Sequence, residues 1–191
     1  MNAIELLLTR QSTSVLTEPA PNEADVATLL SAGMRAPDHG GLKPWHFHVI
    51  TGDGLQRLSE LYLDAKTSEV KTAALDEEVI NEKLAKIAKM PFRAPMIIAI
   101  STHYVQHSKV PKQEQLVAAG CCVHAMQMAA FALGYGAVWR TGDLAYHNKV
   151  KQGLAIDADN DIVGFLYIGT PTKVAAIKPA KSYQESVTFW Q

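Results

Sequence analysis

The chain is expected to fold as a single domain, an α/β or α+β sandwich with a helical layer on each side of a small sheet. Three stretches carry that expectation. Residues 96–103, "MIIAISTH", form a continuously apolar run and suit a strand buried on both faces. Residues 45–51, "WHFHVIT", alternate with a period of two. Residues 112–134 place Leu116, Ala119, Gly120, Val123, Met126, Gln127 and Ala130 at spacings of three and four, the pattern of a long helix. With 191 residues and no internal repeat, one domain spanning 1–191 is sufficient.

The remaining elements follow in order. Ile4, Leu7 and Leu8 fall at helical spacing over residues 2–10. Pro19 and Pro21 interrupt the chain, and Asn22 can cap a second helix whose stripe is Val26, Leu29, Leu30 and Met34. Gly33 and Pro37 stop it. In the first strand, Trp45, Phe47 and Val49 share one face, and His46, His48 and Ile50 share the other. An amphipathic helix follows from "GDGLQRL". Residues 72–89 predict a charged, solvated helix, and Pro91 and Pro95 bracket the turn into the second strand. "YGAVWR" and "DIVGFLYIGTP" are further strands, and the tail after Pro171 is irregular until "SVTFW".

Composition limits the function. The formal net charge of −1 leaves no overall basic field to gather nucleic acid or an anionic membrane. "MNAIELLLTR" lacks a basic leader region, its apolar run breaks at Thr9-Arg10, and no apolar run approaches the roughly 20 residues that cross a bilayer. The protein is therefore read as cytoplasmic. Cys121 and Cys122 are adjacent, which suits neither a C-x-x-C redox pair nor paired metal ligands, and they read as small buried helix residues.

Several chemistries can be weighed from the residues. His46 and His48 lie at i, i+2 beside Asp38-His39, but no fixed-spacing metal motif accompanies them. Gly134-x-Gly136 puts Trp139 where a dinucleotide fingerprint has its third glycine, and it follows a helix, so that motif fails. There is no G-x-S-x-G, and neither cysteine has an evident partner base. Any demanding chemistry therefore falls to a cofactor. Arg10 to Ser14 directly follow the first helix, and two readings fit: a guanidinium with hydroxyls gripping a phosphate, or a cation placed favourably at a helix C-terminus.

"RQS" at 10–12, "RAPDHGGLKPWHFHVI" at 35–50, "FRAP" at 92–95, "WRTG" at 139–142 and "FLYIGTP" at 165–171 occur in the order seen in the nitroreductase family. The sequence resembles that family, and within it the short NAD(P)H nitroreductases, over essentially its whole length. The resemblance implies a three-layer α/β/α sandwich with a small mixed sheet, and an intertwined homodimer. FMN would sit at the dimer interface and receive hydride from NADH or NADPH, and a nitroaromatic, quinone or similar electrophile would be the acceptor. Arg10, Gln11 and Ser12 match the flavin motif, with Arg10 and Ser12 on the phosphate or ribityl chain. Arg35 and His39 fall in the loop that reaches the partner subunit's flavin. Trp139, Arg140 and Thr141 match the segment whose backbone runs along the flavin ring. Ala129, Ala130, Phe131, Ala132, Leu133 and Gly134 match a segment assigned to the nicotinamide in close relatives. No side chain is required as an obligatory acid or base. Lys178 and Lys181 are candidates for further phosphate contacts, and the tail from about 171 to 191, with Phe189-Trp190, is expected to embrace the partner.

The chain departs from the family pattern in two places. Ser14 stands where many members carry a basic residue, so Arg35 or Arg140 is expected to supply that charge. The loop reads Pro37-Asp38-His39-Gly40-Gly41-Leu42-Lys43-Pro44-Trp45, without the usual serines and asparagine. Two other classes stay open: a flavin-binding storage or chaperone protein without turnover, and a metal-dependent hydrolase using His39, His46 and His48.

Overall fold

A computed structural model describes all residues except Ala74, Val174, Ala175 and Lys181. The described chain carries α1 (Ala3–Thr9), β1 (Leu16–Thr17), α2 (Glu23–Gly33), β2 (Trp45–Thr51), α3 (Asp53–Thr72), α4 (Glu77–Ala88), β3 (Met96–Thr102), α5 (Lys112–Ala132), β4 (Gly136–Arg140), α6 (Asp143–Tyr146), α7 (Asn148–Gly153) and β5 (Ile162–Pro171).

Local signals account for several boundaries. Asn2 caps α1 in a reciprocal capping box with Glu5. Asn22 caps α2, its side chain accepting from the Asp25 N–H at 2.9 Å. Gly134 ends α5 with φ at 87°, a left-handed conformation in which glycine carries no Cβ penalty. The charged segment expected to be one helix over 72–89 instead breaks: α3 runs on to Thr72 and α4 starts at Glu77 with Asp76 at its N-cap. No residue of α4 is buried, as a solvated face requires.

Five strands form one sheet in the order β1-β5-β3-β2, with β4 on β5. The resemblance implies a mixed sheet, but every pairing among the described residues is antiparallel. β3 is buried along its entire length because β2 and β5 flank it and helices cover both faces. On one face α2 and α5 pack through Leu29, Ala119, Cys122, Val123 and Met126 against Ile98, Ile100 and Leu166. On the other, Leu58 and Tyr62 of α3 meet Ile97, Phe165 and Tyr167, with Val150 of α7 beside them. Burial pushes the Cys122 thiol up to about 12, with Cys121 adding to it, so this cysteine is a packing residue.

α5 is long and apolar enough to cross a membrane by length and composition, which corrects the expectation that no such run exists. Half of that window is buried inside the domain, the pattern of a core helix.

His46 and His48 stand edge to face, ring centroids 4.8 Å apart. Burial, and then His46, hold the His48 imidazole below its ordinary 6.5, so the folded state keeps it neutral. Below pH 6.5 the unfolded chain protonates this ring first, and unfolding then takes up a proton. Stability is thus full above that pH and falls as pH drops through it. The His48→Gln variant is expected to show a shallower fall in Tm between pH 7 and pH 5 than the parent; an equal slope would refute this assignment.

Candidate functional site

Two of the expected segments meet at β4. The Thr13 N–H donates to the Ala137 carbonyl at 2.9 Å, which lays the chain after α1 along this strand. Gln127, buried on α5, donates from Nε2 to the same carbonyl at 3.3 Å and to Ser12 Oγ at 3.5 Å. Gly136 lets the segment approach, since a Cβ there would meet Leu16 Cδ2 at 2.6 Å and Thr13 at 3.0 Å. One end of this seam holds Arg10, and the other leads to Trp139, Arg140 and Thr141. Gln127 is a helix residue by its spacing, and nothing local marks it as the clamp.

Arg10 Nη1 is sealed from solvent and has no hydrogen-bond partner among the described residues. A buried guanidinium nitrogen left unsatisfied is costly, and an anionic oxygen would satisfy it. Gln11 turns to the tail: its Nε2 donates to the Ala176 carbonyl at 3.1 Å, and its Oε1 accepts from the Lys178 N–H at 3.4 Å. That brings the Lys178 backbone to the same end of the seam, whereas Lys181 lies outside the described residues.

Trp139 turns its ring toward the core and is partly buried. Its indole Nε1 donates to the Val163 carbonyl at 3.2 Å, and its ring packs into the core beside Gly120 of α5. Arg140 points to the opposite face, its guanidinium 5.5 Å above the Tyr167 ring and its Nε sealed and without a hydrogen-bond partner among the described residues. A cavity of about 290 Å³ opens here, lined by Arg140, Thr141, Arg93, Tyr62, Phe165 and Tyr167 among others. It holds two guanidinium groups and no carboxylate. Burial raises the Tyr167 phenol, and Arg140 and then Arg93 pull against it. Arg93 sits in "FRAP", a segment that marks a strand entrance in the sequence and carries no expected role.

The loop before β2 is a separate unit. Asp38, its side chain almost fully buried, accepts from the Lys43 N–H at 2.7 Å and lies 3.6 Å from Lys43 Nζ. Gly40 at φ 80° and Gly41 at φ 68° make the turn between them. His39 extends from the turn, and its Nδ1 lies 2.7 Å from Glu114 Oε2 on α5. Arg35 is exposed just after α2. Glu114 and Gln127 are 13 positions apart on one helix, so the His39 end lies about 20 Å from the Ser12 end. Arg10–Ser12 and His39 of one chain therefore mark two ends of α5 and not one pocket, while Arg35 follows the α2 terminus that packs at Cys122 and Met126 between them.

The six residues 129–134 terminate α5. The Leu133 N–H donates to Ala129, Gly134 to Phe131 and Tyr135 to Ala130, and Ala130 is fully buried in the core. Among the described residues no three His, Cys, Asp or Glu side chains gather as metal ligands would, and His39 is on a different part of the surface from His46 and His48.

These features describe a helix-covered antiparallel sheet with an anion-seeking seam beside β4. Residues 7–170 match the Nitroreductase family, and the chain belongs to it. Among curated relatives, "Putative NAD(P)H nitroreductase YdjA" of Escherichia coli K12 is 44% identical over 90% of this chain and 89% of its own. A protein of like description from Haemophilus influenzae is 34% identical over 89% of each chain. Among solved structures, a nitroreductase-like family protein from Bacillus cereus superposes with a TM-score of 0.84 at 21% identity, covering 100% of this chain and 97% of its own. The FMN and NADPH-dependent nitroreductase NfnB of a Sphigopyxis strain gives 0.75 at 17% identity, with both chains fully covered.

Proposed function

We propose that the protein is an FMN-dependent NAD(P)H oxidoreductase that reduces a nitroaromatic, quinone or similar electrophilic acceptor. The sealed, unpartnered Arg10 nitrogen beside Ser12 and Gln127 is the observation that carries this reading. Arg10 and Ser12 would hold the FMN phosphate or ribityl chain, and the Trp139–Thr141 backbone would border the ring. Bound there, FMN supplies hydride transfer, so no protein nucleophile is needed. The Arg140–Arg93 cavity favours negative charge at the ring edge, as preorganised cations do.

A homodimer is part of the proposal. None of the residues of α1 is buried, and Ile4, Leu7 and Leu8 stand more than half exposed. Leu116 and Val117 of α5, and Phe189 and Trp190 of the tail, are exposed as well. Such an apolar surface suits an interface. The roughly 20 Å between the Ser12 and His39 ends of α5 then allows Arg35 and His39 to serve the flavin of the partner subunit. Residues 129–134 as a nicotinamide contact, and a cytoplasmic location, belong to the same proposal.

The purified protein is expected to be yellow, with flavin bands that bleach under anaerobic NADH or NADPH. Flavin that neither nicotinamide bleaches would support a binding protein without turnover. Protein that takes up no FMN would overturn the reading. The charge missing at Ser14 is assigned to Arg140, helped by Arg93, because their guanidinium groups line one cavity beside Thr141. Arg140→Ala is expected to lower the flavin midpoint potential by about 30 mV or more, the loss of roughly one cation contact on a two-electron couple. An unchanged potential in Arg140→Ala would sink the assignment, and a drop in Arg35→Ala alone would move it to Arg35.

A further inference from the structure

We propose that Glu114 is a positioning residue for the cofactor site, acting through His39. The inference rests on the flavin reading above. It answers how a loop without the family's serines and asparagine makes a defined polar contact.

The loop is clamped on its inner side. The Asp38 carboxylate is turned to Lys43, both to its N–H at 2.7 Å and to its Nζ at 3.6 Å, and is therefore occupied. His39 projects the other way. Its only described side-chain partner is Glu114 Oε2, 2.7 Å from Nδ1. An ionised carboxylate only accepts, so Nδ1 carries the proton in this contact. In the neutral ring Nε2 is then the unprotonated nitrogen, able to accept a hydrogen bond. The arrangement is the one that orients an imidazole in metal and catalytic sites, where a carboxylate on one ring nitrogen determines what the other can do.

The contact also restrains the ring. The side chains of His39 and Glu114 are 60% and 49% exposed, so packing alone does not hold either rotamer. The loop that carries His39 turns on two left-handed glycines, while Glu114 stands in the first turn of the 21-residue helix α5. The rigid element thus orients the group on the pliant one, and the entropy of ordering His39 is met before a ligand arrives. The pair itself helps line a shallow cavity of about 370 Å³, with Asp38 and Gln113 and the apolar Pro37, Val117, Ala118 and Cys121. No competing cation lines it.

The test is FMN affinity of the apoprotein, read by quenching of flavin fluorescence, in a double-mutant cycle. Glu114→Ala is expected to weaken FMN about tenfold, the scale of one oriented hydrogen bond. Glu114→Gln is expected to remain within about threefold of the parent, since its amide oxygen also accepts from Nδ1–H. In a His39→Ala background, Glu114→Ala is expected to have no further effect on affinity. Glu114 also sits favourably near a helix N-terminus, and loss of that interaction would lower Tm in both backgrounds without changing the coupling. Parent-like affinity in Glu114→Ala would overturn the proposal, as would an equal loss with and without His39. A parent protein that takes up no FMN would instead overturn the flavin reading itself, which separates the two failures.

Discussion

Arg10→Ala is expected to weaken FMN binding by about two orders of magnitude while leaving the apoprotein as stable as the parent, or more so. Arg10 Nη1 is sealed without a partner among the described residues, on a side chain that is otherwise partly exposed. Removing a group with one sealed, unsatisfied nitrogen relieves a local desolvation cost, whereas removing it from a complex deletes charge-assisted hydrogen bonds of about 1.5–3 kcal/mol each. The two measurements should therefore move in opposite directions, which a purely structural arginine would not do. Riboflavin, lacking the phosphate, provides the control: its affinity should hardly change. Arg10→Lys should recover only part of the loss, since an ammonium is a point charge without the guanidinium fork. A large drop in apoprotein Tm with unchanged FMN affinity would return Arg10 to the reading of a cation at the end of α1.

Gly164→Ala is expected to destabilise the fold by about 3 kcal/mol, the upper end for overpacking a core. For a chain of this size that is a fall in Tm of about 6–12 °C. Gly164 lies where the β3–β5 register shifts, with Ile100 opposite Gly164 and Ser101 opposite Ile162. Its φ is 154°, and a Cβ built there would collide with the Trp139 indole and stand 2.9 Å from the Arg140 carbonyl. The indole cannot retreat without losing its hydrogen bond to Val163. The displaced backbone is the one proposed to border the flavin, so flavin content should fall with Tm. Gly41→Ala is the comparison: its φ of 68° is strained, but nothing lies within 4 Å of a Cβ, so it should cost only about 1 kcal/mol. A Gly164→Ala protein within 1 kcal/mol of the parent would show that the indole can move.

Much of this fold is legible from short-range pattern. Asn22 as a cap, the run from Met96 to Thr102, the alternation from Trp45 to Thr51 and the long periodic stretch of α5 each report chemistry between residues a few positions apart. The same locality explains the misses. β1 has two residues and exists only because Leu16 and Thr17 find Pro171 and Thr170. α6 and α7, of four and six residues, are too short for periodicity to announce. The pause between α3 and α4 falls inside a charged stretch whose helical pattern continues through it.

The site divides along the same line. The order of "RQS", "WRTG" and the histidine loop marks the segments, and the family model bears out the family they indicate. Residue type alone says that Arg10 is a cation, that His39 can take either tautomer and that Trp139 is a large amphipathic ring. Long-range contacts decide what each does. Gln127 meets Ser12 across 115 positions, Glu114 meets His39 across 75, and Trp139 turns its ring inward because Gly164 leaves space for it. Strand and helix periods are properties of the local backbone and can be read along the chain. Which buried nitrogen lacks a partner, and which carboxylate faces which imidazole, depend on packing between distant segments, and only the folded chain makes them definite.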